Sequence, residues 1–115
     1  MKKLMISVLV LLLVGMLVAG CGGTTQKKIV IGLDDNFPPM GFRDEKNNIV
    51  GFDIDMAKEA AKRMGMEVEF KPIDWNSKEA ELNGKRIDML WNGLTITEQR
   101  KQNILFSKPY MENRQ

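Results

Sequence analysis

The chain has 115 residues, 43% of them apolar and 28% charged, which is room for one small domain of ordinary globular composition. Lys and Arg number 17 against 15 Asp and Glu, and both surplus charges, Lys2 and Lys3, lie in the first twenty residues, so the remainder is neutral and lacks the basic face a nucleic-acid binder needs. There is no histidine and only one cysteine, which excludes Ser-His-Asp and Cys-His nucleophiles, histidine metal sites, internal disulfides and cysteine zinc clusters.

Met1-Lys2-Lys3 is a short positive segment, and Leu4 to Gly20 follows it without a charge. Those 17 residues fall short of the roughly 20 that a spanning helix needs and fit the core of a signal peptide. The run ends in Val18-Ala19-Gly20-Cys21, small residues before the only cysteine. This is similar to the lipobox of bacterial lipoproteins, which implies cleavage before Cys21 and lipid on its sulfur. Two acyl chains on one residue hold a small protein stably at a bilayer surface. The expected domain plan is a signal peptide over 1–20, a polar tether over 21–28 and a folded unit over 29–115, outside the cytoplasm.

Ile29 to Leu33 is an apolar run bounded by turn formers, a candidate buried strand. Residues 34–39 read as a loop, because Pro38-Pro39 excludes helix and central strand. Gly41-Phe42 and Ile49 to Phe52 flank a charged turn and predict a hairpin. Asp53 is positioned to cap a helix from about Ile54, with Ala57, Ala61 and Met64 on one face and Gly65 at its end. Met66 to Lys71 alternates apolar and charged, a half-buried strand that Pro72 ends. A short helix is expected from about Ser77 to Asn83, with Ser77 as its N-cap, and strands at 87–91 and 104–106. Between those strands Thr97 is placed to cap a helical turn through Arg100. Met56, Met64, Met66 and Met89 are expected in the core. This alternation implies right-handed crossovers and a largely parallel sheet with helices on both faces, an α/β fold.

In an open α/β sheet, ligands sit beyond the carboxyl ends of the strands. The segments leaving those ends carry Asp34, Phe37, Trp75, Thr95 and Arg100: a carboxylate, two aromatic rings, a hydroxyl and a guanidinium. That set suits a small zwitterion, since arginine meets a carboxylate in bidentate geometry and never loses its charge. Asp53 and Asp55 resemble an acid-base pair, but capping and first-turn dipole effects account for them.

Gly51-Phe52-Asp53-Ile54-Asp55-Met56, followed by Ala60-Ala61 and Met64, resembles the signature of the family 3 extracellular solute-binding proteins, the amino-acid receptors of ABC importers. Gly93 to Arg100 resembles that family's Gly-x-Thr-x-Thr-x-x-Arg ligand loop, Phe106 to Tyr110 its Phe-Ser-x-Pro-Tyr run, and Asn36 to Met40 its first ligand loop. The resemblance covers residues 29–111. It implies a periplasmic-binding-protein type II-like lobe with a mostly parallel sheet, incomplete because the second lobe is absent.

By the same resemblance Arg100 holds the ligand's α-carboxylate with help from Thr95, and Phe37 and Trp75 wall its side chain. Asp34 meets a polar or basic side chain, and Gly93 lets the backbone come close. The implied partners are an amino-acid ligand, an ABC permease in the membrane and the bilayer through acylated Cys21, with no nucleic acid, cofactor or metal. The family's acceptor for the α-ammonium lies in the second lobe, so this chain is expected to be a truncated form that binds weakly or not at all alone. The competing readings are a dehydratase-like enzyme lobe, a sensor input domain, which would need a second membrane span, and a small structural lipoprotein without ligand.

Overall fold

The computed structural model describes residues 26–112. The expectations for the signal peptide, for lipidation at Cys21 and for tether residues 22–25 fall outside them.

Strand β1 (Lys28–Leu33) lies at the centre of a three-stranded parallel sheet, between β5 (Glu67–Pro72) and β6 (Met89–Leu90). Its register sets Ile29 beside Val68 and Ile31 beside both Phe70 and Met89. Parallel neighbours need long crossovers. The first carries an antiparallel sheet of β2 (Asn36–Phe37), β3 (Gly41–Arg43) and β4 (Ile49–Val50), then helix α1 (Phe52–Arg63). The second carries a 3-10 turn at Trp75–Ser77 and helix α2 (Lys78–Asn83). Helix α3 (Glu98–Lys101) follows β6. The α/β lobe with a parallel central sheet is as the sequence leads one to expect.

The core is Ile31 and Leu33 of β1, Ile54, Ala57 and Ala61 of α1, and Ile87 and Ile104 from the connections. Helix α1 packs on β5 and the hairpin, and α2 packs on β1 and β6. The hairpin turn is organised by Asp44, whose Oδ1 accepts from the backbone N–H of Lys46 (2.9 Å) and of Asn48 (2.8 Å). The Asn48 side-chain amide also donates to Asp44 Oδ2 (3.0 Å), and this bond, then the backbone one from Asn48, hold the Asp44 carboxyl below its ordinary range.

Six local expectations are corrected. Residues 34–39 are not all loop: Asn36–Phe37 pairs with Gly41–Phe42 before the prolines intervene. Helix α1 starts at Phe52 with Gly51 as N-cap, and Asp53 does not cap it. The first-turn N–H groups of Phe52 and Asp53 go instead to the carbonyls of Pro39 and Met40, each at 2.9 Å, so no capping side chain is needed. Gly51 has φ +132°, and a Cβ there would collide with the Met40 carbonyl; only glycine fits this junction. Ser77 likewise stands at the start of α2 without a side-chain capping bond, its hydroxyl donating to the Asp74 carbonyl instead (2.9 Å).

The strand expected over 87–91 is regular only at Met89–Leu90, because the Asp88 carboxylate replaces a main-chain acceptor for the Val30 N–H (2.8 Å). Residues 104–106 form no strand, since no described segment pairs with them; Ile104 is buried while Leu105 is 97% exposed. The methionines are a partial miss as well. Met56 and Met64 face outward, and Met66 and Met89 are half-buried.

Candidate functional site

The carboxyl ends of β5, β1 and β6 lie side by side, so the segments that follow them emerge at one end of the sheet. After β1, the Asp34 carboxylate turns back on its own loop and accepts from the Asn36 N–H (2.9 Å), an Asx turn. Its carbonyl accepts from the side-chain amide of Asn92 (3.0 Å), which ties the loop after β1 to the loop after β6. Phe37 is 43% exposed and its ring lies over Gly93. Gly93 has φ +63°, and a Cβ there would sit 3.3 Å from Phe37 Cε1. The left-handed backbone favours glycine there, and the absence of a side chain lets the ring stand close above it.

After β5, the Asp74 side chain accepts from the Asn76 N–H (3.0 Å) and starts the short turn that presents Trp75. Trp75 is half-buried, with the Lys78 ammonium 5.3 Å from its ring centroid and donating to its carbonyl at 2.9 Å. After β6, the Thr97 hydroxyl accepts from the Arg100 N–H (3.2 Å) and caps α3, as its position in the sequence suggests. That short helix carries the Arg100 guanidinium back over the loop, where Nη1 donates to the Thr95 carbonyl at 2.9 Å. Arg100 Nε is 3.6 Å from Glu79 Oε1 on α2, a loose pair with both side chains about one-third exposed. The hollow beside Arg100 has a volume of about 430 Å³ and is lined by Glu79, Thr95, Thr97, Gln99, Arg100 and Asn103.

Thr95 is therefore brought to Arg100, Phe37 to Gly93, and Asp34 to the same loop through Asn92. Trp75 stands just before α2, the helix that bears Glu79. Neither ring lines the hollow beside Arg100. Glu79 beside the guanidinium, and Gln99 and Asn103 in the lining of the hollow, were not legible in the sequence. Nor was Asn92, 2% exposed, legible as the link between two loops. Of these only Asn92 carries a local signal, a polar residue following a strand; the others depend on how α2 and α3 pack.

A further polar cluster lies beneath Gly93. Asp53 is 1% exposed, and its Oδ1 accepts from the Tyr110 hydroxyl at 2.7 Å. Burial pushes the Asp53 carboxyl above its ordinary range. Burial, and then the Asp53 carboxylate, push the Tyr110 phenol up to about 12. The Trp91 and Tyr110 rings are tilted at 55° with centroids 6.1 Å apart.

An α/β lobe with a polar hollow beyond the carboxyl ends of its parallel strands has the architecture of a ligand-binding lobe. Residues 29–115 match the model of the bacterial extracellular solute-binding proteins, family 3, and the chain belongs to that family. It is 37% identical over 82 residues to the L-cystine-binding protein of Escherichia coli, covering 71% of this chain and 31% of that one. It is 38% identical over 85 residues to the arginine-binding extracellular protein of Bacillus subtilis, covering 74% and 33%. Among solved structures, the arginine-bound form of domain 1 of ArgBP from T. maritima superposes with a TM-score of 0.70 at 44% identity, covering 72% of this chain and 66% of that one. The chain thus spans about a third of the length of the curated relatives it matches. The relatives named here are binding proteins for amino acids.

Proposed function

We propose that this chain supplies the first ligand-receiving lobe of an extracytoplasmic receptor for a polar or basic L-amino acid, serving an ABC importer. The observation that carries the reading is Arg100. Its guanidinium stands at a polar hollow beyond the strand ends, steadied by the Thr95 carbonyl and only loosely paired with Glu79. A ligand carboxylate offers two oxygens to that fork and outcompetes a single contact at 3.6 Å.

In this reading Thr95 and its neighbouring backbone donors complete the carboxylate's shell, and Gly93 keeps the loop low enough for the ligand to approach. Phe37 and Trp75 flank the ligand side chain, and Asp34 favours a basic or amide group. The solved domain 1 relative, bound to arginine, supports direct binding by one lobe. Affinity is expected to be low for a ligand covered on one side only, since water screens the ion pair from the other. The receptor role is non-catalytic and needs neither cofactor nor metal.

Titration calorimetry of the chain with arginine, histidine, glutamine and cystine tests this. Arginine is expected to give binding heat that disappears in Arg100→Ala. Heat that persists in that variant, or is absent for all four, would overturn the proposal.

Anchoring belongs to the same proposal: Gly20-Cys21 is the cleavage site, and the Cys21 sulfur carries the lipid that keeps the receptor beside its permease. Intact-mass measurement of the membrane-extracted protein is expected to show an acylated chain beginning at Cys21, and a soluble chain retaining residues 1–20 would refute it.

A further inference from the structure

Asp53 presents a physical oddity. A carboxylate that is 1% exposed normally has all its lone pairs engaged, yet only Oδ1 is bonded, to Tyr110, while Oδ2 is buried without a partner among the described residues. The indole Nε1 of Trp91 is a buried donor, also without a bond in hydrogen-bond geometry. The Trp91 ring stands 6.1 Å from that of Tyr110, which bonds Asp53, and the Trp91 indole and the Gly93 N–H lower the Asp53 carboxyl against the upward effect of its burial. An acceptor lacking a donor and a donor lacking an acceptor thus meet under the turn that begins the Thr95–Arg100 loop. The main chain at Asp53 also holds the other loop, through its N–H to the Met40 carbonyl at 2.9 Å.

We infer that Asp53 is a positioning residue for the ligand loop: its buried carboxylate is the common anchor of the Trp91–Gly93 turn, which begins the loop bearing Thr95 and Arg100, and of Tyr110. Residues 107–112 are exposed and have no regular structure, and the bond to Asp53 ties Tyr110 to helix α1. The placement explains why an aspartate, costly to bury, stands where an alanine or leucine would serve packing alone.

Hydrogen exchange and 15N relaxation by NMR, on the whole chain without ligand, test the coupling. In Asp53→Ala, exchange at the Gly93 amide and the Trp91 indole is expected to accelerate by about fivefold or more relative to the Ile31 amide of β1. In Tyr110→Phe those two groups stay protected, while residues 110–112 gain mobility. A folded Asp53→Ala with an unchanged Gly93-to-Ile31 ratio, or a uniform loss of protection, overturns the inference. Should that variant fail to fold, unchanged relaxation at 110–112 in Tyr110→Phe overturns it instead. A binding arm rests on Arg100 as the ligand's anchor: Asp53→Ala weakens arginine binding, and Asp55→Ala, in the same helical turn but exposed, does not. If the native chain binds no arginine, the Arg100 reading falls while the exchange arms still decide the coupling.

Discussion

Arg100 sits near the end of a four-residue helix, and its charge is held by one carbonyl and one distant carboxylate. Such a group is poised for exchange: the pair with Glu79 is partly exposed and long, so little is lost when a better anion arrives. Replacing Arg100 by Ala is expected to cost about 2–3 kcal/mol of arginine binding, on the order of a hundredfold in Kd by calorimetry. Arg100→Lys keeps the charge but loses the fork, and an intermediate loss is expected. Tyr110 gives a pH prediction. Its phenol is raised from 10.0 to about 12 in the fold, so the native state holds that proton more tightly than the unfolded chain does. The associated stability is fully present below pH 10 and is lost as pH rises through about 12. Denaturant titrations across that window should show the decline in the native chain and a smaller one in Tyr110→Phe. Asp53 has the same sign. Its raised pKa makes the native state the better proton binder, so this group's contribution favours folding more as pH falls into the raised range.

At the scale of elements, two junctions decide where the site residues stand. Helix α3 depends on Thr97, whose hydroxyl takes the Arg100 N–H. Thr97→Ala should cost about 1 kcal/mol in equilibrium unfolding. Because the helix is a single turn, arginine affinity should fall along with it. The hairpin-to-α1 junction depends on Gly51, where any Cβ meets the Met40 carbonyl. Gly51→Ala should therefore lower the thermal midpoint more than Gly65→Ala, since a Cβ at Gly65 meets nothing within 4 Å although φ is positive at both. Both junctions show how far a local signal carries. Thr97 is legible as a cap because the cap and the bonded N–H are three residues apart. Asp53 reads as a cap for the same kind of reason and is not one, because the carbonyls of Pro39 and Met40, more than ten residues upstream, take its place.

For the whole molecule, the energetics rest on a small core joining β1 to α1. Ile54, fully buried on the inner face of α1, should cost about 2–5 kcal/mol when cut to Ala, seen as a lower denaturation midpoint with an unchanged slope. In so small a domain that is a large share of total stability. Among the described residues the largest apolar exposure is Leu105, in the middle of a segment expected to be a strand and found without a described neighbour to pair with. A short apolar run such as Ile104-Leu105-Phe106 is compatible with a strand, but only a partner strand supplies its ladder.

The sequence alone determined what depends on neighbours along the chain. It set the β1 and β5 strands by their hydrophobic pattern, the hairpin by its Asp and Asn turn, and the α3 cap by Thr97. It also contained the family motifs, because they are strings of adjacent residues. Only the tertiary structure decided which side chains meet across loops: Asn92 on the Asp34 carbonyl, 58 residues apart, Tyr110 on Asp53, 57 apart, and Glu79 opposite Arg100. Those contacts follow from parallel crossovers that bring three strand ends together, and no local spacing of residues encodes how distant segments will be laid side by side.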